Sequence, residues 1–342
     1  MIHLLKGSIG AGVLAMSDAV LRVGIILGIA GVALIASFAT YCIHLLIAAQ
    51  YELCKRNRRG YIQYPELMML AIRDGPPCMR FSAKAYYHFV ETTLILWQLG
   101  ICTIYCVFVA ENIKQVCDFY GQELSLRLHI CFLLAPLTLM GLVKDLKLLT
   151  PFSSISNILT LLGLILVFFY LVEDDVTLEE EKLKPKGLIE IPVFVGITLF
   201  ALEAVGVILA LEYNMEKPKR FVGLFGLFNV GMVVITSLYV LMGVAGRCAL
   251  LSVAYCTYIF NFSGALAVSV PKLGPFIALF GALCLSLLAI IFPGIMDACV
   301  WYPDKYGLCR YRLLRDVLIV IAGIACLLSG CYTSILEITA AH

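Results

Sequence analysis

Apolar segments of about twenty residues alternate with short polar connections along this 342-residue chain. A helix of that length spans the hydrocarbon core of a bilayer. The segments lie near residues 4–24, 25–50, 86–110, 127–143, 152–172, 189–212, 224–246, 249–270, 273–298 and 314–337. The pattern predicts an all-α, polytopic membrane protein of about ten spans, embedded in the lipid bilayer as a single transmembrane domain over residues 1–342.

Basic residues identify the cytoplasmic side. The loop from Lys55 to Lys84 carries seven lysines and arginines, which places it and the N-terminus in the cytoplasm by the positive-inside rule. The acidic loop 173–187, with Glu173 to Asp175 and Glu179 to Glu181, then lies on the opposite side.

The charge pattern conflicts with the number of spans near the C-terminus. The basic segment Lys305 to Arg315 should be cytoplasmic, yet nine spans from a cytoplasmic start would put it outside. Either this segment is outside, so that Cys309 is accessible there, or one apolar segment is not a span. The abrupt join at Gly246-Arg247-Cys248 is where a helix could be absent.

Three glycines interrupt the first apolar segment at positions 7, 10 and 12. In lipid, an unwound helix survives where protein or a water-filled cavity surrounds it, and its free amides can then bind an anionic substrate group. The alternative is that the glycines allow close helix packing. The candidate substrate-binding residues are Gly7, Ser8, Ile9, Gly10, Ala11 and Gly12.

Composition narrows the function class. Hydrophobic residues make up 62% of the chain, charged residues 14%, and the net charge is +2, which excludes an ordinary soluble protein and gives no reason to expect a nucleic-acid partner. The 14 cysteines show no metal-ligand spacing, so neither a metal nor a cofactor is predicted. Cys117 and Cys248 are a weak candidate for a disulfide.

Several motifs resemble the proton-coupled amino acid transporter family, of the amino acid/auxin permease type. They are I-H-L-L-K-G-S-I-G-A-G-V-L at the start, C-x-x-Y-x-V-F-x-A-E-N at 102–112, L-F-A-L-E-A-V-G-V-I-L-A-L-E at 199–212, K-R-F at 219–221 and G-A-L-C-L-S-L-L-A-I-I-F-P-G-I-M-D at 281–297. The resemblance implies two LeuT-like inverted five-helix repeats plus one further helix: a first repeat at 1–172, an incomplete second at 188–298 and a last helix at 314–337. It implies no enzyme activity, but symport of small neutral amino acids (glycine, alanine, proline) with protons, across a plasma membrane or a lysosomal or endosomal membrane.

The resemblance also implies that two family segments are absent. The eighth span would lie between Arg247 and Cys248, at the gap that the charge pattern indicates, and the cytosolic tail before the first span is not present. We therefore keep an alternative function, a non-transporting amino-acid sensor or membrane-embedded partner subunit.

The same resemblance assigns the remaining site residues. Glu203, with Phe200 and Gly206, lies in the sixth span, where the second broken helix is expected; an intramembrane carboxylate marks a functional site by default, as a proton carrier or as an acceptor for freed amides. His3 is the leading proton-linked residue, since its unperturbed pKa of about 6.5 suits an acidic compartment. Tyr105 and Phe200 either bound the substrate pocket or pack as ordinary core residues.

Three positions depart from the family pattern. Ser17 and Ala210 stand where the family has proline, and Ala204 stands where it has glycine. Each change favours a helix, because proline in a helix interior is less favourable than alanine by about 3 kcal/mol, and glycine by about 1 kcal/mol. The sixth helix is therefore expected to be less unwound than in relatives, which weakens the prediction of substrate affinity.

Overall fold

The computed structural model describes most of the chain. The described residues are 11–121, 124–141, 189–202, 226–249, 273–303 and 310–340, with isolated positions 155, 158, 159, 162, 163, 165, 169, 187, 208, 209, 221, 223 and 306. The regular elements within them are helical, as the sequence predicted.

Eleven α-helices and one π-helical segment make up the described regular structure. They are α1 (Ala11–Val23), α2 (Ile25–Asn57), α3 (Tyr64–Asp74), α4 (Pro77–Arg80), α5 (Ala83–Phe119), α6 (Leu126–Gly141), α7 (Glu190–Ala201), α8 (Leu227–Ala249), α9 (Leu273–Phe280), the π-helical segment (Gly281–Ile291), α10 (Phe292–Val300) and α11 (Tyr311–Ala340).

Helix α1 lies in the interior of the bundle, in contact with α2, α7 and α8. Its apolar residues Met16, Val20 and Val23 are buried. Gly24, with a φ of 86°, joins α1 directly to α2. A residue with positive φ is easiest to supply as glycine, so this position allows two long apolar helices to turn sharply back on each other. Ser17 is buried within a continuous α1, which agrees with the helix-forming role predicted for it.

Helix α9, the π-helical segment and α10 follow one another without a break. Their glycine contact with α7 is very close, because a Cβ on Gly281 would lie 2.0 Å from the carbonyl oxygen of Gly196. The wider π turns shift backbone carbonyls out of the regular α pattern. One of them, the carbonyl of Leu288, accepts a hydrogen bond of 2.5 Å from the Tyr64 hydroxyl of α3.

Five helices of the described chain are long and apolar enough to cross a membrane. They are Ile25–Asn57, Ala83–Asp118, Leu227–Val244, Gly274–Val300 and Tyr311–Ala340, and they overlap five predicted spans. Helices α1, α6 and α7 fall within three more. The predicted span 249–270, and most of 152–172, lie outside the described residues, so the count of ten and the inverted repeat stay predictions.

The helices have two distinct ends. At one end, the Arg56 guanidinium near the end of α2 donates to the carbonyl of Val300 at 2.8 Å and pairs with Asp74 at 3.5 Å. At the other end, Arg22 of α1 pairs with Glu190 of α7 and Glu337 of α11. Because Arg56 belongs to the basic loop, the first end is cytoplasmic by the positive-inside rule, and the second is the outer end.

Helices α8 and α9 both have their connecting termini at the outer end. Gly243 in the last turns of α8 lies against Val20, near the end of α1, and a Cβ on Gly274 at the start of α9 would lie 2.7 Å from Asp18. The chain therefore leaves α8 and enters α9 on the same side. Residues 250–272, which join these two helices, lie outside the described residues.

This arrangement corrects the expectation that the basic segment lies outside. Arg315 pairs with Asp297, and the Arg312 guanidinium lies 4.6 Å from the Trp301 ring centroid, both at the end where α10 meets Arg56. Arg312 and Arg315 therefore lie at the same end as Arg56, the end that the positive-inside rule assigns to the cytoplasm. The disulfide prediction is also wrong, since Cys117 is a free thiol.

The two ends can be tested by thiol labelling. An impermeant reagent should reach Cys78, which is exposed beside Arg80, and Cys309 in the same permeabilisation step, because Cys309 is close in the chain to Arg312 and Arg315, which lie at the Arg56 end. A Thr339→Cys variant introduces a thiol at the exposed outer end of α11 and should react in the opposite step. Peptide mass spectrometry identifies the labelled cysteine; labelling of Cys309 together with the Thr339→Cys thiol would contradict the arrangement.

Candidate functional site

Helices α1 and α7 touch through their backbones. Gly12 is the second residue of α1, and Ala201 is the last of α7. A Cβ on Gly12 would lie 2.6 Å from Ala201 Cα and 3.0 Å from its Cβ, which is closer than two side chains allow. At Gly12, therefore, the close-packing alternative is what the structure shows.

Helix α7 ends inside the segment 200–206, where the sequence predicts a break. The Leu202 amide donates to the carbonyls of both Thr198 (3.2 Å) and Leu199 (3.1 Å), as in a terminal turn. The carbonyls of a helix end need partners from elsewhere, and in lipid such partners must come from protein. The Tyr239 hydroxyl of α8 donates to the carbonyl of Ala201 and supplies one.

The hydrogen bond from Tyr239 to Ala201 can be tested by removing the Tyr239 hydroxyl group. Tyr239→Phe should lower the melting temperature of the purified protein, because Ala201 loses a buried donor, a change that costs on the order of 1–3 kcal/mol. Tyr332→Phe on α11 is the matched control, since that side chain is 66% exposed. Equal melting temperatures for the two variants would show that Tyr239 does not support the helix end.

Phe200 is fully buried next to this contact. Its ring meets the edge of Trp97 of α5 with the centroids 5.4 Å apart and the planes at 66°, a favourable aromatic geometry. Tyr105 lies eight residues after Trp97 on α5, which is about 12 Å along the helix axis at 1.5 Å per residue. It is partly exposed. Sequence reasoning missed Trp97, although one of two tryptophans in the middle of an apolar span was an available signal.

Most of the residues predicted to bind the substrate or the proton lie in segments that the structure does not describe. His3, Gly7, Ser8, Ile9, Gly10, Glu203 and Gly206 lie outside the described residues, and Ala11 is described by its backbone alone. The structure brings Gly12 and Phe200 to one helix crossing, and the roles of all these residues stay predictions.

A charged cluster connects the same helices at the outer end. The Arg22 guanidinium contacts Asp18 at 3.1 Å, Glu190 at 2.9 Å and Glu337 at 2.7 Å, and so links α1 to α7 and α11. Its side chain is 16% exposed, against about a third for the carboxylates. The Asp18–Arg22 spacing of four residues in an apolar helix was a signal of this pair, whereas the two distant glutamates gave none.

The geometry sets the start of the short, glycine-containing helix α1 against the last residue of α7 inside an apolar bundle. The chain matches the family model described as "Transmembrane amino acid transporter protein" over residues 1–250 and 247–336. It belongs to this family. The family consists of transporters and not of enzymes, as the sequence predicted.

Two relatives illustrate the similarity. The chain is 31% identical over 402 residues to the "Proton-coupled amino acid transporter-like protein pathetic" of Drosophila melanogaster, an alignment that covers 100% of this chain and 85% of the fly protein. It is 21% identical over 384 residues to the "Probable amino acid transporter skat-1" of Caenorhabditis elegans, covering 88% of this chain and 81% of the worm protein.

Proposed function

We propose that this family member is built to carry small neutral amino acids, of the glycine, alanine and proline type, together with protons. The backbone contact between Gly12 and Ala201 carries the proposal. It sets the start of α1 beside the end of α7, and these are the two places where the sequence predicts free backbone amides. The name of the fly relative, which includes proton coupling, supports the second half of the proposal.

The proposed site has two sides. The amides of the glycine-rich segment from Gly7 to Gly12 hold the substrate carboxylate, as helix N-termini hold anions. Phe200, Glu203 and Gly206, with Tyr105 further along α5, face the substrate from the other side. His3 carries the coupled proton, and Glu203 either shares this task or accepts hydrogen bonds from the freed amides. A histidine that titrates in mildly acidic surroundings suits either a lysosomal or endosomal membrane or a plasma membrane.

A second function is favoured by the region around Arg247. The two family-model matches meet at residues 247–250, and the alignment to the fly protein spans 402 residues although the chain has 342. Both facts support an internal segment of the relatives that is missing here. A chain without that segment is a candidate for a sensor or membrane-embedded partner subunit that binds amino acid without carrying it.

Proteoliposomes separate the two functions. The purified chain is reconstituted, an acid-outside gradient is imposed, and uptake of labelled glycine, alanine and proline is compared with uptake without the gradient and with empty liposomes. A transporter accumulates substrate when the gradient is present. A sensor shows saturable binding of the same amino acids in equilibrium dialysis and no accumulation. Absence of both binding and accumulation would contradict both functions.

A further inference from the structure

The cytoplasmic end of α10 and α11 contains a second cluster of ionisable residues, remote from the Gly12–Ala201 contact. Asp297 of α10 is 2% exposed and Asp316 of α11 is 1% exposed. Both carboxylates contact the same Nη2 atom of Arg315, which donates to Asp316 Oδ1 at 2.6 Å and to Asp297 Oδ2. Two buried acidic groups therefore share one guanidinium.

Three of the four carboxylate oxygens have donors. Asp297 Oδ1 accepts a hydrogen bond of 2.8 Å from the Trp301 indole, and Asp316 Oδ1 also accepts from Arg315 Nε at 2.8 Å. Asp316 Oδ2 is buried and has no hydrogen-bond partner among the described residues. A buried carboxylate oxygen without a donor is costly, so this atom is where the cluster lacks a ligand.

The other groups around the cluster leave its negative charge uncompensated. From α2, the Tyr41 ring lies 5.9 Å from the Arg315 guanidinium carbon and the buried Cys42 thiol interacts with Arg315 and Asp316; neither a phenol nor a thiol supplies a positive charge. Burial, and then the neighbouring Cys299 and Asp316, raises the pKa of Tyr306, so its phenol stays neutral.

The other arginines described at this end form no ion pair with either aspartate, and Arg310 among them is exposed. The Arg312 guanidinium lies over the Trp301 ring, and Arg56 of α2 pairs with Glu52 and with Asp74 of α3. When both aspartates are ionised, one guanidinium therefore faces two carboxylates. When two carboxyl groups share a buried site, the repulsion between their negative charges keeps one of them protonated.

We propose that Asp297 and Asp316, held by Arg315, form a proton-binding site at the cytoplasmic end of this protein. The ligand is a proton and not a metal ion, because one free oxygen supplies too few ligands for a metal site, and the described residues contain no group of three or more His, Cys, Asp or Glu that could hold one. The proposal that a proton binds here depends only on the arrangement of Asp297, Arg315 and Asp316. Its use as an exit site for the coupled proton rests on the proposed function.

Infrared difference spectroscopy of the purified chain in lipid nanodiscs tests the proposal. A protonated carboxyl group has a carbonyl stretch that an ionised one lacks. We expect this band at neutral pH, and its loss as the pH is raised. Labelling with carboxyl-¹³C aspartate should shift the band, because Asp297 and Asp316 are the buried aspartates of the described chain. Asp316→Asn should abolish it.

Matched variants keep the test decisive. Glu66→Gln, which removes a partly exposed carboxylate paired with Arg59, should leave the band unchanged. If Asp316→Asn does not fold, Asp316→Glu should retain a protonated carboxyl band that the aspartate label no longer shifts. The proposal is overturned if no aspartate band appears in the folded protein, if the band survives Asp316→Asn, or if sodium ions remove it at constant pH. The spectrum requires no transport, so a failure of uptake leaves this result unaffected.

Discussion

Gly12→Leu is expected to reduce amino-acid binding at least tenfold and to abolish uptake. The first atom of the new side chain would lie 2.6 Å from Ala201 Cα, and a backbone atom cannot rotate out of the way. Helix α7 is fixed on its other side by the contact of Gly196 with Gly281. Overpacking of this kind costs about 1–3 kcal/mol or more, and about 1.4 kcal/mol corresponds to a factor of ten in binding.

The control for this prediction is another helical glycine. A Cβ on Gly163 meets nothing within 4 Å, so Gly163→Leu should keep the wild-type affinity. Both variants are compared by equilibrium dialysis with glycine and proline, after their membrane insertion and melting temperatures have been measured. Wild-type affinity in Gly12→Leu would show that the substrate site does not depend on this helix contact. The corresponding Gly10→Leu experiment tests the glycine-rich segment outside the described residues, where loss of binding with intact insertion is predicted from the sequence.

The long helices could be predicted from the sequence because the bilayer sets their length. An apolar segment of about twenty residues has few stable arrangements other than a membrane-spanning helix, and α2, α5, α8 and α11 fall where such segments lie. The glycine pattern was less specific. It predicted both an unwound segment and close packing, and at Gly12 the structure shows the second, because a glycine contact depends on the helix that lies opposite.

The pairings between helices could not be predicted from local patterns. Arg22 meets Glu190 and Glu337, which are 168 and 315 residues away in the chain, and Phe200 meets Trp97 across the bundle. No periodicity within one helix indicates which side chain it will meet on another. Such contacts depend on the three-dimensional order of the helices.

The expectation for the basic segment failed for a different reason. It assumed that every apolar segment crosses the membrane once, so that counting segments fixes the side of Lys305 to Arg315. The structure places the end of α8 and the start of α9 on the same side, so counting apolar segments does not fix the side of the residues that follow them. The positive-inside rule was therefore the better guide here than the number of apolar segments.

Restoring a span after Arg247 is expected to have the largest effect of all, by turning a poor proton-driven transporter into an efficient one. Residues 248–271 contain no charged side chain, and the helices on either side of them end and begin at the same end of the bundle. An inserted span would return the chain from the outer end of α8 to the cytoplasm, and residues 249–270 could then cross to the start of α9. The described helices would keep their places, because α8 would still end, and α9 would still begin, at the outer end.

Cys248 and Cys309 report this change. With the insert placed between Arg247 and Cys248, an impermeant thiol reagent should find Cys248 on the cytoplasmic side, whereas it is on the outer side in the unmodified chain. Cys309 should remain cytoplasmic in both. The insert is an eighth span taken from a full-length family member, and its control is a scrambled span of the same composition, which should move Cys248 without restoring efficient uptake of glycine, alanine or proline. We expect the inserted span to pack beside α8 and to cover the polar backbone of an unwound first helix. Efficient proton-driven uptake by the unmodified chain would contradict the need for this span.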